Sequence, residues 1–225
     1  MKAVFFGSIG TIVETSEMQR DAFNLAFKVH GLSWHWDAQI YRDKLLVSGG
    51  KARIAAFARA RGETVEAGQI HATKTEIFQK LLGDAELSAR DGVIETLEFA
   101  KQNALKSAFL STTDLNSINM VRARTKGLRS DYIDLVTSAQ NAFPQKPSTE
   151  VFQYGLSVLN VAARDVVVIE DNIDGVVAAK DLGCYVIAFP GANTQGQRYS
   201  AADEVITTDL FGAVRDKLLG ESAFA

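Results

Sequence analysis

The stretch Lys2-Ala3-Val4-Phe5-Phe6-Gly7-Ser8-Ile9-Gly10-Thr11 carries an unbroken apolar run, then breaks on two glycines and a serine. Such a short run, ended by Gly-Ser, reads as a strand covered on both faces that stops at a loop. Three more runs share this form, at 107–110 before Ser111-Thr112-Thr113, at 166–169 before Glu170-Asp171, and at 185–189 before Pro190-Gly191. The first two of these lead into helix-like segments at 115–124 and 173–182. Strand and helix therefore alternate as in an α/β fold with a doubly wound parallel sheet. Ligands bind such sheets beyond the carboxyl ends of the strands. The loops starting at Gly7, Ser111 and Glu170-Asp171 are expected to converge on one crevice.

The segment between the first and second strands reads almost wholly as helices, far more than the ~10–12 residues a crossover needs. Its pieces, 17–30, 38–46, 52–61 and 67–82, are punctuated by Gly31, Gly49-Gly50 and Gly62. An inserted helical domain over 15–88 is expected, with 1–14 and 89–225 forming the α/β core. A helix near 91–103 returns the chain to the sheet. A last helix, Leu210–Leu219, has Asp209 placed to cap it.

The 225 residues include 24 Lys+Arg against 27 Asp+Glu, a net charge of −3, and 47% are hydrophobic, enough for a substantial core. No block of basic residues marks a nucleic-acid or membrane-surface binder, so a small molecule is the expected partner. The single cysteine, Cys184, excludes an intramolecular disulfide framework and fits a reducing compartment, with the cytoplasm expected. The N-terminus reaches Gly7 too soon for a signal h-region, and no apolar stretch of ~18 residues is present. His30, His35 and His71 show no zinc-ligand spacing. Trp34 and Trp36 are expected to pack within the helical domain.

Several residues at the crevice could carry chemistry. Adjacent Glu170 and Asp171 suit an oxygen-preferring cation such as magnesium, and equally suit capping of the helix that follows. Lys146 precedes Pro147, which fits the first turn of a helix and would hold Lys146 just ahead of it. Ser111-Thr112-Thr113 supplies hydroxyls and N–H groups compatible with phosphate or with plain helix capping.

The order of Gly7-Ser8-Ile9-Gly10-Thr11, Ser111, Lys146-Pro147 and Ile169-Glu170-Asp171-Asn172 resembles the four motifs of the haloacid dehalogenase-like superfamily, over the whole chain. The insert, with Trp34-His35-Trp36-Asp37, Tyr41 and Gly49-Gly50-Lys51-Ala52-Arg53-Ile54, is similar to the cap of the CbbY type. These are sugar-bisphosphate phosphatases related to β-phosphoglucomutase. The resemblance implies a phosphorylated small metabolite as ligand. It assigns Ser111, Lys146 and Thr11 to phosphate, and Lys51, Arg53 and Lys74 in the cap to substrate. Magnesium would be held by Asp171, Glu170 and the Ile9 backbone carbonyl.

The first loop departs from the family pattern. Active members carry Asp-x-Asp-Gly-Thr there: the first Asp attacks phosphorus, and the second serves as acid and base. Here Gly7 and Ile9 take those places. Neither side chain has a nucleophile or a titratable proton, so the resemblance implies family ancestry without phosphatase activity and with weakened magnesium binding. Gln19 likewise stands where relatives often carry a histidine. The alternative is a hydrolase using Ser8 or Thr11 as nucleophile, with Glu14 the nearby candidate base in sequence.

Overall fold

In the computed structural model, which describes residues 1–46 and 48–220, the central strand is β1 (Ala3–Phe6), all four of its residues buried. It pairs in parallel with β3 (Lys106–Leu110) on one side and β6 (Val166–Glu170) on the other, so that Phe6 lies opposite both Phe109 and Ile169. With β5 (Leu135–Thr137), β7 (Tyr185–Ala188) and β8 (Glu204–Val205) the order is β5-β3-β1-β6-β7-β8, every neighbouring pair parallel. A separate pair joins β2 (Leu87–Ser88) to β4 (Thr125–Lys126). The expected doubly wound sheet is present, with two more strands than the apolar runs predict. Three-residue β5 and two-residue β8 are too short to show a period, and they form only because a buried neighbour templates them.

Alternation along β1 feeds two cores. Val4 and Phe6 join one apolar cluster with Val93 and Leu97 of α6 (Val93–Gln102) and Val214 and Leu218 of α10 (Leu210–Leu219). Ala3 and Phe5 join the other with Val151 and Phe152 of α8 (Glu150–Leu159) and Val176 and Ala179 of α9 (Ile173–Asp181). Asp209 caps α10 by accepting from the Gly212 N–H at 3.1 Å. Pro147 does not open α8. It sits behind a cis Lys146–Pro147 bond, and the first helical turn closes instead on the Thr149 carbonyl, 3.0 Å from the Phe152 N–H.

After β1 a single helical turn, α1 (Ile9–Ile12), leads to α2 (Ser16–Val29), α3 (Ala38–Lys44), α4 (Gly50–Ala60) and α5 (Ala67–Asp84). Their own core holds Phe23, Phe27, Trp34, Trp36, Tyr41 and Ile54. The Trp36 ring centroid lies 4.8 Å from Phe23 and 4.9 Å from Phe27, and Asn24 brackets the Trp36 backbone by accepting from its N–H and donating to its carbonyl. A second linker returns at β2, where the Arg90 N–H donates to the Ile12 carbonyl, and α6 and α7 (Leu115–Arg124) follow. No described helix is long and apolar enough to cross a membrane.

Helix α8 approaches the sheet most closely at Gly155, where a Cβ would stand 2.6 Å from Leu110 Cδ1 and 3.4 Å from Phe5 Cε2. Gly155→Val is expected to destabilise the protein by about 1–3 kcal/mol through overpacking. A urea melt with a lowered midpoint and unchanged slope checks this; an unshifted midpoint refutes the close approach.

Candidate functional site

The β1–β3–β6 register sets Gly7, Ser111 and Asp171 one step beyond three adjacent strand ends. Behind them lies a buried ion pair. Lys146 is 7% exposed and Glu170 fully buried, with Nζ 2.5 Å from Oε1. The same ammonium donates to the carbonyls of Gly7 and Leu110, tying β1, β3 and β6 together at their carboxyl ends. Burial pushes the Glu170 carboxyl above the usual carboxylate range, while Lys146 beside it pulls the other way. Two glycines make the space. A Cβ at Gly7 would stand 1.9 Å from Glu170 Oε1, and one at Gly175 would stand 2.1 Å from Glu170 Cδ. The Glu170 carboxylate thus fills the volume that a side chain at position 7 would need.

Asp171 turns the other way, into the crevice. Its Oδ1 accepts from Ser8 Oγ at 2.6 Å and from Asn172 Nδ2 at 2.9 Å, and a Cβ at Gly10 would meet Oδ2 at 1.8 Å. Asn172 also donates to Glu170 Oε2 and caps α9 by accepting from the Gly175 N–H. These contacts leave Asp171 as the one side-chain carboxylate of the expected magnesium set that reaches the cavity. Glu170 is committed to Lys146 and the Ile9 carbonyl accepts from the Val13 N–H, while both donors to Asp171 fall on its Oδ1. Among the described residues no three acidic, His or Cys side chains group as metal ligands.

A cavity of about 830 Å³ separates this floor from the helices above. Ser8, Ser111, Lys146 and Asp171 line it from below, and Lys51, Arg53 and Lys74 from α4 and α5. Thr11 is not brought to it. Its side chain is buried and its hydroxyl donates to the Ser8 carbonyl, so it shapes the loop from behind. Glu170 likewise lies outside the lining. Ser111 Oγ accepts from the Thr113 N–H at 3.1 Å, an internal loop contact. Lys74 is 6% exposed and donates to Gln19 Oε1 at 2.8 Å, and burial lowers it to about 7, aided by Arg53. Beside it His71 is held down to about 4, by burial first and then by Lys74 and Arg53. The Ser48 N–H donates to Asp174 Oδ2 of α9, and Gln79 Nε2 of α5 donates to Asp114 Oδ1 at the start of α7, joining the inserted helices to those that flank the sheet.

Several contributors escape sequence reading. Arg90 donates to the carbonyls of Gly10, Phe189 and Pro190 and stacks on the Phe189 ring at 3.5 Å, pinning the first loop. Tyr199 donates to the Asp171 carbonyl at 2.8 Å. Neither belongs to a local pattern; each acts on a residue far away in the chain. Gly175 carries a weak signal, as a glycine in the first turn of a helix is unfavourable unless something needs its space. Glu14 accepts from the N–H groups of Ser16 and Ala192, which leaves Asp171 as the carboxylate at the Ser8 hydroxyl.

Comparison with known proteins agrees with this architecture. Residues 1–183 match the haloacid dehalogenase-like hydrolase family. Protein CbbY of Cereibacter sphaeroides is 32% identical over 210 residues, covering 92% of this chain and 91% of its own. A crystal structure of CbbY from Rhodobacter sphaeroides in complex with xylulose-(1,5)bisphosphate superposes with a TM-score of 0.82 at 30% identity, over 92% of this chain and 93% of that one. A phosphorylated carbohydrates phosphatase of Thermotoga maritima is 28% identical, covering 81% of this chain and 82% of its own. Matching family and matching fold over nearly the same residues lead to one conclusion: the chain belongs to the haloacid dehalogenase-like hydrolase family and is a homologue of CbbY.

Proposed function

We propose that this chain binds a phosphorylated sugar between its core, 1–14 and 89–225, and a cap formed by 15–88, without phosphatase turnover by the family's route. One observation carries the reading: Gly7 offers no nucleophile, and the space a side chain would need there is filled by the Glu170 carboxylate. Gly7 and Ile9 stand, on this reading, where active relatives carry their two aspartates. The loss is built in rather than incidental, because Gly7, Gly175, Glu170 and Lys146 form one packed unit. Support for the ligand class comes from the CbbY structure holding a sugar bisphosphate and from the cations Lys51, Arg53 and Lys74 at the cavity. Ser111 is the proposed contact on the core side. The lone, buried Cys184 accords with a reducing compartment such as the cytoplasm.

One distance favours a second reading, in which a hydrolase survives with Ser8 as nucleophile. The Ser8 hydroxyl lies 2.6 Å from Asp171 and both line the cavity, the geometry of a nucleophile beside a general base. The same bond serves the first reading as a tie that satisfies Asp171 without a cation.

The protein is expected to release no phosphate from a panel of sugar phosphates, with or without magnesium. A turnover above about 1 s⁻¹ abolished by Ser8→Ala would establish the second reading instead. Gly7→Asp alone should restore nothing and should destabilise the fold by at least about 1–3 kcal/mol, since its Cβ overlaps Glu170. Magnesium should bind only in the millimolar range or weaker, comparable to loose all-oxygen sites, and micromolar affinity by calorimetry would overturn that. A sugar phosphate at 100 times its dissociation constant should stabilise the protein by about 2.7 kcal/mol; no shift in the melting temperature with any sugar phosphate would defeat the ligand class itself.

A further inference from the structure

Residues 135–163 differ from the rest of the chain in charge. The whole chain is 23% charged, yet this stretch holds only Lys146 and Glu150. Lys146 is buried against Glu170, so Glu150 is the one charged residue that the stretch brings to the surface. The stretch also builds one side of the molecule. Strand β5 is outermost in the sheet, α8 packs on β3 and β5, and the loop between β5 and α8 is joined to the helix by Phe143 against Tyr154, ring centroids 5.2 Å apart. On the outer face of α8, Tyr154 and Val158 stand one turn apart, 37% and 50% exposed, with Ser157 beside them. Every other described helix of nine or more residues carries at least two charged side chains, whereas α8 carries Glu150 alone.

We propose that this side is an interface at which two copies of the chain meet about a two-fold axis, α8 against α8. Charge selects the occupant. The core of an interface is depleted of charged residues and enriched in aromatic ones, which describes this face. An anionic membrane or a charged partner would require charges that the face lacks. A second copy requires none, because two-fold contact sets an uncharged surface against itself, whereas the other helices would have their charges to satisfy against an identical copy. The extent also suits a dimer. More than twenty residues of the stretch reach the surface, against the ~20–30 a side that a standard interface engages.

An antiparallel crossing near Ser157 sets Tyr154 of each copy against Val158 of the other, in the i, i+4 ridge packing of helix pairs. The small Ser157 side chain leaves room for the approach. Glu150 lies seven residues from that crossing, ~10 Å along each helix, so the two carboxylates end ~20 Å apart. That exceeds the ~8–10 Å beyond which salt screens exposed charges, and the pair does not oppose the contact. Ala139 and Gln145, on the loop between β5 and α8, also line the cavity, so the interface borders the ligand site. The proposal holds whichever ligand the cavity takes.

Sedimentation equilibrium of the full chain up to about 100 μM, well above a micromolar dissociation constant, tests this. The expected mass is about twice the 24.4 kDa of one chain. Val158→Glu, which sets two carboxylates at the centre of the contact, should weaken the dimer about tenfold or more and leave the fold intact by circular dichroism. Val205→Glu, on β8 at the opposite edge of the sheet and 53% exposed, should leave the dimer unchanged. Ser157→Cys should give a covalent dimer under mild oxidation, and the wild-type chain, whose Cys184 is buried, should not. Should Val158→Glu fail to fold, the Ser157→Cys cross-link decides by itself. A mass of 24.4 kDa throughout, which would leave the face to a different protein, overturns the proposal. So does a dimer that a folded Val158→Glu does not weaken or that Val205→Glu weakens equally, or a Ser157→Cys chain that forms no covalent dimer.

Discussion

The buried pair of Lys146 and Glu170 is the constraint around which the site is arranged. Two opposite charges out of water persist only when their remaining hydrogen-bonding capacity is used, and here it is. The ammonium spends its donors on two strand-end carbonyls and one carboxylate oxygen, while the other carboxylate oxygen accepts from Asn172. Because those carbonyls lie just past β1 and at the end of β3, and the carboxylate ends β6, the pair also sets how the three strand ends meet. Gly7 and Gly175 follow as requirements, since any side chain at either position would enter the volume of the Glu170 carboxylate.

From that arrangement the rest of the floor takes its polarity. With Glu170 turned inward, Asp171 is the carboxylate of the pair that reaches the cavity, and it is held by a serine hydroxyl and an amide. A floor of this kind presents hydroxyls, N–H groups and net negative charge, whereas α4 and α5 present cations. The cavity thus has acidic groups on its floor and cations on its helical side, and the Ser48–Asp174 hydrogen bond ties the loop before α4 to α9.

Much of the fold could be read from local sequence. The four apolar runs are strands because a parallel strand covered on both faces is largely apolar, and β1, β3, β6 and β7 are buried but for Lys106 and the half-buried Tyr185 at their first residues. The insert is legible because Gly31, Gly49-Gly50 and Gly62 punctuate helical periods. Less of the site was legible. Position 146 stood out beside a proline, yet the proline lies in a turn rather than in the helix, and the lysine is fixed by its ammonium. Thr11 stood out in the first loop, yet its hydroxyl faces inward. Arg90 and Tyr199 carried no signal, since what they hold, the carbonyls of Gly10 and Asp171, is remote along the chain.

The sequence by itself determined the sheet, the helical insert, the meeting of Gly7, Ser111 and Asp171 at one edge, and the lack of a carboxylate at positions 7 and 9. These follow from burial, periodicity and side-chain chemistry, which are properties of short segments. Only the tertiary structure decided that Glu170 would turn away from the crevice into the space beside Gly7, that Lys146 would be held by three neighbours, and that Lys74 would lie buried between two aromatic rings with Gln19 as its hydrogen-bond partner. Each of these depends on which atoms from distant segments compete for one volume or one hydrogen bond, and that competition exists only once the strands and helices have packed.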